Sequence, residues 1–188
     1  MMSWGRWRAA AGVLAVAGSL LVAAELYMRA KSRLAAQLIE RALSAHLVDG
    51  AAHRPWPWAD VAPIARLRVP RLGVQRAVLS GATGATLAFG LGHVDGTAAP
   101  GAPGNVALGG HRDHWAAFLA ELVPGDRLLL EAHGSRRTCV VTGRSVVAQD
   151  APQALEQTSD DRLTLVTCWP FGGLVGSPWR YVVTCGCA

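Results

Sequence analysis

The chain has 188 residues, 51% of them hydrophobic and 16% charged, a length that suits one domain with a real core plus a short appendage. Its formal charge of +5 gathers near the N-terminus, where Arg6, Arg8, Arg29, Lys31 and Arg33 are opposed only by Glu25. Residues 34–188 carry 13 basic and 12 acidic side chains, so a nearly neutral body follows a basic end; this argues for a membrane surface as partner and against nucleic acid.

From Ala9 to Met28 the only charge is Glu25. Twenty such residues can cross a hydrocarbon core as a helix. We read residues 1–8 as a cytoplasmic n-region and residues 9–28 as an uncleaved anchor. The alternative is a cleaved signal peptide, with Arg6 and Arg8 as its positive end and Val22-Ala-Ala24 as a small-residue processing site. Arginines at both ends nearly balance the positive-inside rule, and an N-terminus inside with the domain outside is the simpler topology for so short a leading segment.

Residues 29–61 form a connecting region. Leu34, Leu38, Leu43 and Leu47 recur among Arg33, Gln37, Glu40 and Arg41 as in an amphipathic stalk helix, whose expected role is spacing or packing on the domain. Asp49-Gly50 and then Pro55-Trp-Pro-Trp58 end that periodicity and make a linker.

The domain proper is expected over residues 62–188, where the pattern changes to short extended runs punctuated by glycine and proline. Eight candidate strands cover 64–69, 77–79, 106–108, 127–131, 137–141, 144–148, 163–167 and 180–184. One internal helix is expected from His114 to Leu122, and residues 92–105 read as a loop rich in glycine, alanine and proline. Regular short strands with a single inserted helix predict a mostly β fold, a closed barrel rather than a βαβ architecture.

Three residues carry the chemistry. Cys168 follows the apolar run Leu163–Thr167 and precedes Trp169-Pro170, so the strand ends there and its thiol can face a groove. A free thiol titrates near pH 8.5 and is mostly protonated at neutrality unless a cation helps. His111, in Gly109-Gly-His-Arg-Asp113, is the acid and base that acyl transfer from an amide requires. Arg180 offers a permanent cation with a planar fork of donors for an oxyanion or a substrate backbone. Thr167 offers a hydroxyl or backbone group to the acyl carbonyl, with strand packing as its other reading, and His93 lies where it could line the site. His114 is expected to cap or solvate its helix. His46, His53 and His133 have no partner pattern, and no histidine and cysteine spacing suggests zinc. The loop Phe171–Pro178 is glycine-rich, suited to a mobile groove wall. Of Cys139, Cys185 and Cys187, a catalytic Cys168 leaves at most one bridge; Cys139 with Cys185 is plausible if their strands are neighbours.

These segments resemble the sortases. Gly90-Leu-Gly-His-Val-Asp-Gly-Thr97, Pro100-Gly-Ala-Pro-Gly-Asn-Val106, Gly110-His-Arg-Asp113, Thr164-Leu-Val-Thr-Cys168 and Trp179-Arg-Tyr-Val-Val183 follow in that family's order. The surroundings Cys-Trp-Pro-Phe and Arg-Tyr-Val-Val are more similar to the proteobacterial sortases than to Gram-positive housekeeping enzymes. The resemblance implies an eight-stranded β-barrel behind a transmembrane helix, at the cell inner membrane with its catalytic domain on the periplasmic side. It implies a cysteine transpeptidase that cleaves a C-terminal sorting signal of a secreted or surface protein, of the Leu-Pro-x-Thr-Gly type, and joins it to an amine acceptor. No metal and no organic cofactor is expected. Trp169 and Trp179 are bulky at positions expected to border the groove and are taken as substrate-binding. The other readings are a cysteine peptidase that releases its acyl group to water, and a catalytically idle barrel that binds an extended peptide.

Overall fold

The structure, a computed structural model, describes residues 4–151, 155–173 and 176–188. It has two compact units, one up to Gln37 and one from Leu38 to Ala188. A single helix, α1 (Trp4–Asp49), begins in the first. There Val13, Leu14, Leu20, Leu21 and Leu26 are all exposed, and the helix is long and apolar enough to cross a membrane. The amphipathic segment expected as a separate stalk is the continuation of this helix.

Within the second unit the last turns of α1 bury Ile39, Ala42 and Leu43, the latter two three and four residues after the first, which is the spacing of one helical face. Ile39 joins Ala59, Val61 and Leu79 in a small cluster, against which Trp56 and Phe89 meet edge to face at 5.4 Å. The Pro/Trp segment is therefore packed on the domain. Glu40 accepts from Arg66, whose other terminal nitrogen donates to Glu131 at 3.1 Å, so the helix end is tied to the barrel wall through one buried guanidinium.

Eight strands close into a barrel: β1 (Pro63–Val69), β2 (Val74–Leu79), β3 (Leu91–His93), β4 (Asn105–Gly109), β5 (Arg127–Ala132), β6 (Ser135–Ala148), β7 (Arg162–Trp169) and β8 (Trp179–Cys187). Their order around the barrel is β1-β2-β3-β4-β7-β8-β6-β5. The pairs β2–β3 and β4–β7 are parallel and the rest antiparallel. Alternate residues such as Leu128, Leu130, Leu163, Leu165, Val183 and Cys185 fill the interior.

Three expectations change. Runs 137–141 and 144–148 are one strand, β6, whose register shifts between Val141 and Gly143: Thr142-Gly143 makes an irregularity in the ladder without ending it. The place of the eighth strand is taken by β3, inside a segment read from residue 92 onward as loop; its three residues are held by ladders to β2 and β4. The helix expected from His114 to Leu122 is a turn followed by a short 3-10 helix, Ala117–Glu121, and a second short helix, α2 (Gly84–Leu87), is capped by the Thr83 side chain.

The bridge read as plausible from sequence, Cys139 with Cys185, is not the one formed. Strands β6 and β8 are neighbours, but their register opposes Cys139 to Cys187 and Val141 to Cys185. The disulfide is Cys139–Cys187, and Cys185 is a free, fully buried thiol.

Candidate active site

Strand β7 is the centre of the site. On one side it pairs with β4 in parallel, Val106↔Leu163 through Gly109↔Val166, and on the other it pairs with β8 antiparallel, with Cys168 directly opposite Arg180. Leu163, Leu165 and Val183 point into the core, so the alternating residues Val166, Cys168, Arg180 and Val182 take the outer face. The last rung of the β4–β7 ladder is Gly109↔Val166, closed by Gly110 N donating to Val166 O at 3.2 Å, so the turn that begins at His111 leaves β4 beside the end of β7 that bears Cys168. Cys168 and Arg180 are thus a directly opposed pair on adjacent strands, and His111 follows the end of the strand on the other side of β7. His111 is exposed, Cys168 half-buried and free, and Arg180 half-buried.

Each member is held from behind. Thr167 is 3% exposed and its hydroxyl donates to Gly110 O at 2.8 Å, immediately before His111. Its side chain faces inward, so it fixes the histidine turn and does not offer its hydroxyl to a substrate carbonyl. Gly110 is glycine for want of room: a Cβ there would lie 2.7 Å from Leu91 Cδ2 and 3.0 Å from Ala116 Cβ. Arg112 donates to Gly173 O and, at 3.0 Å, to Asp113, while Asp113 accepts from Gly172 N at 3.2 Å. Two consecutive residues after His111 therefore clip onto two consecutive residues of the loop after Cys168. The hydrogen bond from Arg112, helped by the Gly172 amide, holds the Asp113 carboxyl below the usual carboxylate range. Arg180 donates through Nη1 to Ser177 O and Trp179 O at 2.8 and 3.0 Å and through Nη2 to Gln149 Oε1 at 2.9 Å.

The remaining expected site residues lie elsewhere. His93 ends β3 opposite Leu108, three positions before the level of His111, and its Nε2 meets Ala98 O at 2.9 Å and Thr97 Oγ1 at 3.2 Å. That ring pins the turn after β3. Trp169 is turned to the opposite face: it stacks on Tyr181 at 5.6 Å and meets Phe171 edge-on at 5.8 Å. These three rings and Val146 line an open groove of about 530 Å³, on the other side of the β7–β8 ribbon from Cys168. Strand alternation sends Trp179, 49% exposed, to that side as well. In the loop expected to wall the groove, residues 174 and 175 lie outside the described residues. His114 stacks obliquely against Trp115 at 4.4 Å. No cluster of three metal-ligating side chains occurs among the described residues. Arg112 and Asp113 stand in the Gly110-His-Arg-Asp113 motif, which does not show their partners in the loop after Cys168, and no local pattern marks Gln149.

The barrel thus brings a half-buried free cysteine at a strand end near a histidine and an arginine, the group types that a thiol acyl-transfer site requires. The model of the sortase domain matches residues 67–187. Sortase D of Bacillus subtilis is 30% identical over 118 residues, covering 62% of this chain and 60% of that protein. Sortase A of Bacillus anthracis is 31% identical over 109 residues, 56% of this chain and 51% of that one. The chain thus spans about half to three-fifths of the length of these curated relatives. Among solved structures, sortase A from Corynebacterium diphtheriae superposes with a TM-score of 0.63 at 25% identity, covering 70% of this chain and 63% of that one. A Clostridium perfringens sortase D5 shares the fold with a TM-score of 0.68 at 19% identity, over 83% of this chain and 99% of that one. This chain belongs to the sortase family.

Proposed function

We propose that this chain is a cysteine transpeptidase that cleaves a sorting signal in a secreted protein and joins the acyl fragment to an amine. The observation that supports this reading is the pairing of Cys168 with Arg180 across β7–β8, with the His111 turn following the end of β4 on the other side of β7. The Cys168 thiolate attacks the scissile carbonyl and forms the S–C bond, while the carbonyl π pair moves to oxygen beside the Arg180 guanidinium. Collapse of that tetrahedral species breaks the C–N bond; the departing amine takes a proton from His111, leaving a thioester. An acceptor amine then gives its proton to neutral His111 as it attacks, and the thiolate leaves. Water in place of the amine would give hydrolysis.

Membrane anchoring by residues 9–28 and an extracytoplasmic domain belong to the same reading. The Cys139–Cys187 disulfide supports the second, because structural disulfides persist in oxidising compartments. We assign the chain to the proteobacterial type, at the inner membrane facing the periplasm, on its Cys168-Trp-Pro-Phe171 and Arg180-Tyr-Val-Val183 surroundings. The relatives named above come from Bacillus, Clostridium and Corynebacterium.

The test is to incubate the full chain in detergent with a library of extended peptides and an amine, then read intact mass. A thioacyl adduct on Cys168 and amine incorporated into the released product are expected. His111→Ala should slow both by about 10² to 10⁴ at unchanged fold. Turnover by Cys168→Ala would overturn the assignment, and a product that never contains the amine would make the protein a peptidase.

A further inference from the structure

Arginine has five N–H groups, and the bonds of Arg180 divide them unevenly. Both hydrogens of Nη1 are taken by the carbonyls of Ser177 and Trp179, and one hydrogen of Nη2 by the side-chain oxygen of Gln149. Among the described residues nothing accepts from Nε–H or from the other Nη2–H. Nε and Nη2 border the side edge of the guanidinium, where two N–H groups can take two acceptors together. The three bonds therefore fix the group through Nη1 and Nη2 and leave Nε–H and one Nη2–H without an acceptor among the described residues.

Of the three acceptors, only Gln149 is a side chain from a different segment. It follows directly on β6, where Val147 opposes Arg180 and Ala148 opposes Trp179. Its backbone N–H carries the pairing one step further, donating to Pro178 O at 2.7 Å. Strand alternation then puts the Gln149 side chain on the face of Val147 and Arg180, the face that also bears Cys168. Gln149 is exposed, so a hydrogen bond there adds little to the stability of the barrel. What it does fix is the end of a long, rotamer-rich side chain.

We propose that Gln149 is a positioning residue for Arg180, holding Nη2 so that the Nε/Nη2 edge faces the carbonyl of an extended peptide acylating Cys168. The proposal rests on the transpeptidase reading for its substrate but not for its geometry. Without Gln149 the guanidinium keeps its two backbone acceptors at Nη1 and can pivot about them, and the fork loses its fixed direction. The saturated acylation rate should fall about 10-fold, because a misplacement of the order of 1 Å is worth up to about 10²-fold in rate.

The experiment compares the full chain with Gln149→Ala, Gln149→Glu, Arg180→Ala and the double variant Gln149→Ala/Arg180→Ala. Single-turnover acylation is followed by intact mass at saturating peptide. Gln149→Ala should lose about 10-fold in rate with unchanged melting temperature and unchanged alkylation of Cys168 by iodoacetamide. Gln149→Glu, which keeps an acceptor at the same place, should recover most of the rate. In the Arg180→Ala background, removing Gln149 should have no further effect, which a merely structural residue would not show. A wild-type rate for Gln149→Ala, or the same 10-fold loss on top of Arg180→Ala, would overturn the proposal. A second readout needs no substrate: in ¹⁵N-arginine-labelled protein, rotation of the Arg180 guanidinium should be slow in the wild type and fast in Gln149→Ala. Equal, fast rotation in both would overturn the positioning role, whereas failure of every peptide to acylate the wild type would count against the transpeptidase reading alone.

Discussion

Gly109 and Gly110 are adjacent, share a strand end and are chemically identical, yet alanine should behave oppositely at the two. A Cβ on Gly109 meets nothing within 4 Å. On Gly110 it would meet Leu91 Cδ2 at 2.7 Å and Ala116 Cβ at 3.0 Å, and both of those residues are only 1% exposed, so neither can swing into solvent. Overpacking of this kind costs about 1–3 kcal/mol. For a domain of this size each kcal/mol is worth about 2–4 °C, so Gly110→Ala should melt roughly 2–12 °C lower while Gly109→Ala melts with the wild type. The functional consequence follows from the bonds at the same residue. Gly110 N donates to Val166 O and Gly110 O accepts from Thr167 Oγ1, so a backbone shift that relieves the clash also moves His111, the next residue. In the role proposed for His111, a displacement of a few tenths of an ångström should cost about 10-fold in acylation rate. Calorimetry on the two variants, with single-turnover acylation of Cys168 in parallel, tests both parts. If Gly110→Ala matched the wild type in melting temperature and rate, the packed turn would not be what positions His111.

Two further expectations concern pH. Burial pushes the Cys185 thiol up to about 12 from an ordinary 9.0, so the folded state keeps a proton that the unfolded chain sheds. That contribution is fully present below pH 9 and declines as pH rises from about 9 towards 12; Cys185→Ala should flatten this decline in a melting-temperature series, and parallel curves would refute it. At neutral pH an alkylating agent should accordingly reach Cys168 and spare Cys185, as peptide mapping of the labelled protein can show. In the opposite direction, Asp126, almost fully buried, accepts from Arg71 Nη2 at 2.7 Å and Val123 N at 2.8 Å, and the bond from Arg71 holds its carboxyl below the usual range. Its contribution is present above the unfolded value near 3.8 and is lost as pH falls through the lower folded one. Asp126→Asn should melt below the wild type at pH 7 and converge with it in acid; a constant gap from pH 7 to pH 2 would show that the ionised form contributes nothing.

The sequence was most legible where chemistry and strand ends coincide. Cys168 precedes a proline-bearing turn, Arg180 opens the next strand, and His111 follows a Gly-Gly step, so each sits where a local break can be read. The short strand β3 was hidden because Leu91-Gly-His93 has little intrinsic strand preference; its two neighbours in the barrel hold it in place. Thr142-Gly143 looked like an end because a glycine inside a strand and a glycine after one look alike in sequence. The parts of the site that went unread depend on distant partners: Arg112 meets Gly173 across 61 residues, Asp113 meets Gly172 across 59, and Gln149 meets Arg180 across 31. The inward turn of Thr167 and Trp169 was settled by strand parity, which requires knowing that Leu163 and Leu165 face the core.

That parity makes register the property on which the site depends. A slip of one residue between β4 and β7 would turn Cys168 away from His111, because side chains alternate faces along each strand. Several contacts oppose such a slip. Thr164 Oγ1 donates to Asn105 Oδ1 at 2.7 Å, a buried bond between outward residues of β7 and β4, and Asn105 Nδ2 donates to Glu156 O at 3.0 Å. At the other end of the same pairing, Thr167 donates to Gly110 O from the inner face. A slip would strand those buried polar groups, each at about 1–3 kcal/mol, and would set Leu163 and Leu165 against the outer face as well. On the far side of β8 the Cys139–Cys187 bridge fixes the β6–β8 register at the end of the ribbon remote from Arg180. The β6–β8 pairing then carries that register forward through Val147↔Arg180 to Gln149. The polar bonds along β4–β7 hold the strand end before His111 beside the one that bears Cys168, and the disulfide-bearing ladder aligns Arg180 with Gln149. The approach of these residues from adjacent strands needs both registers, and each register is held by side chains outside that group.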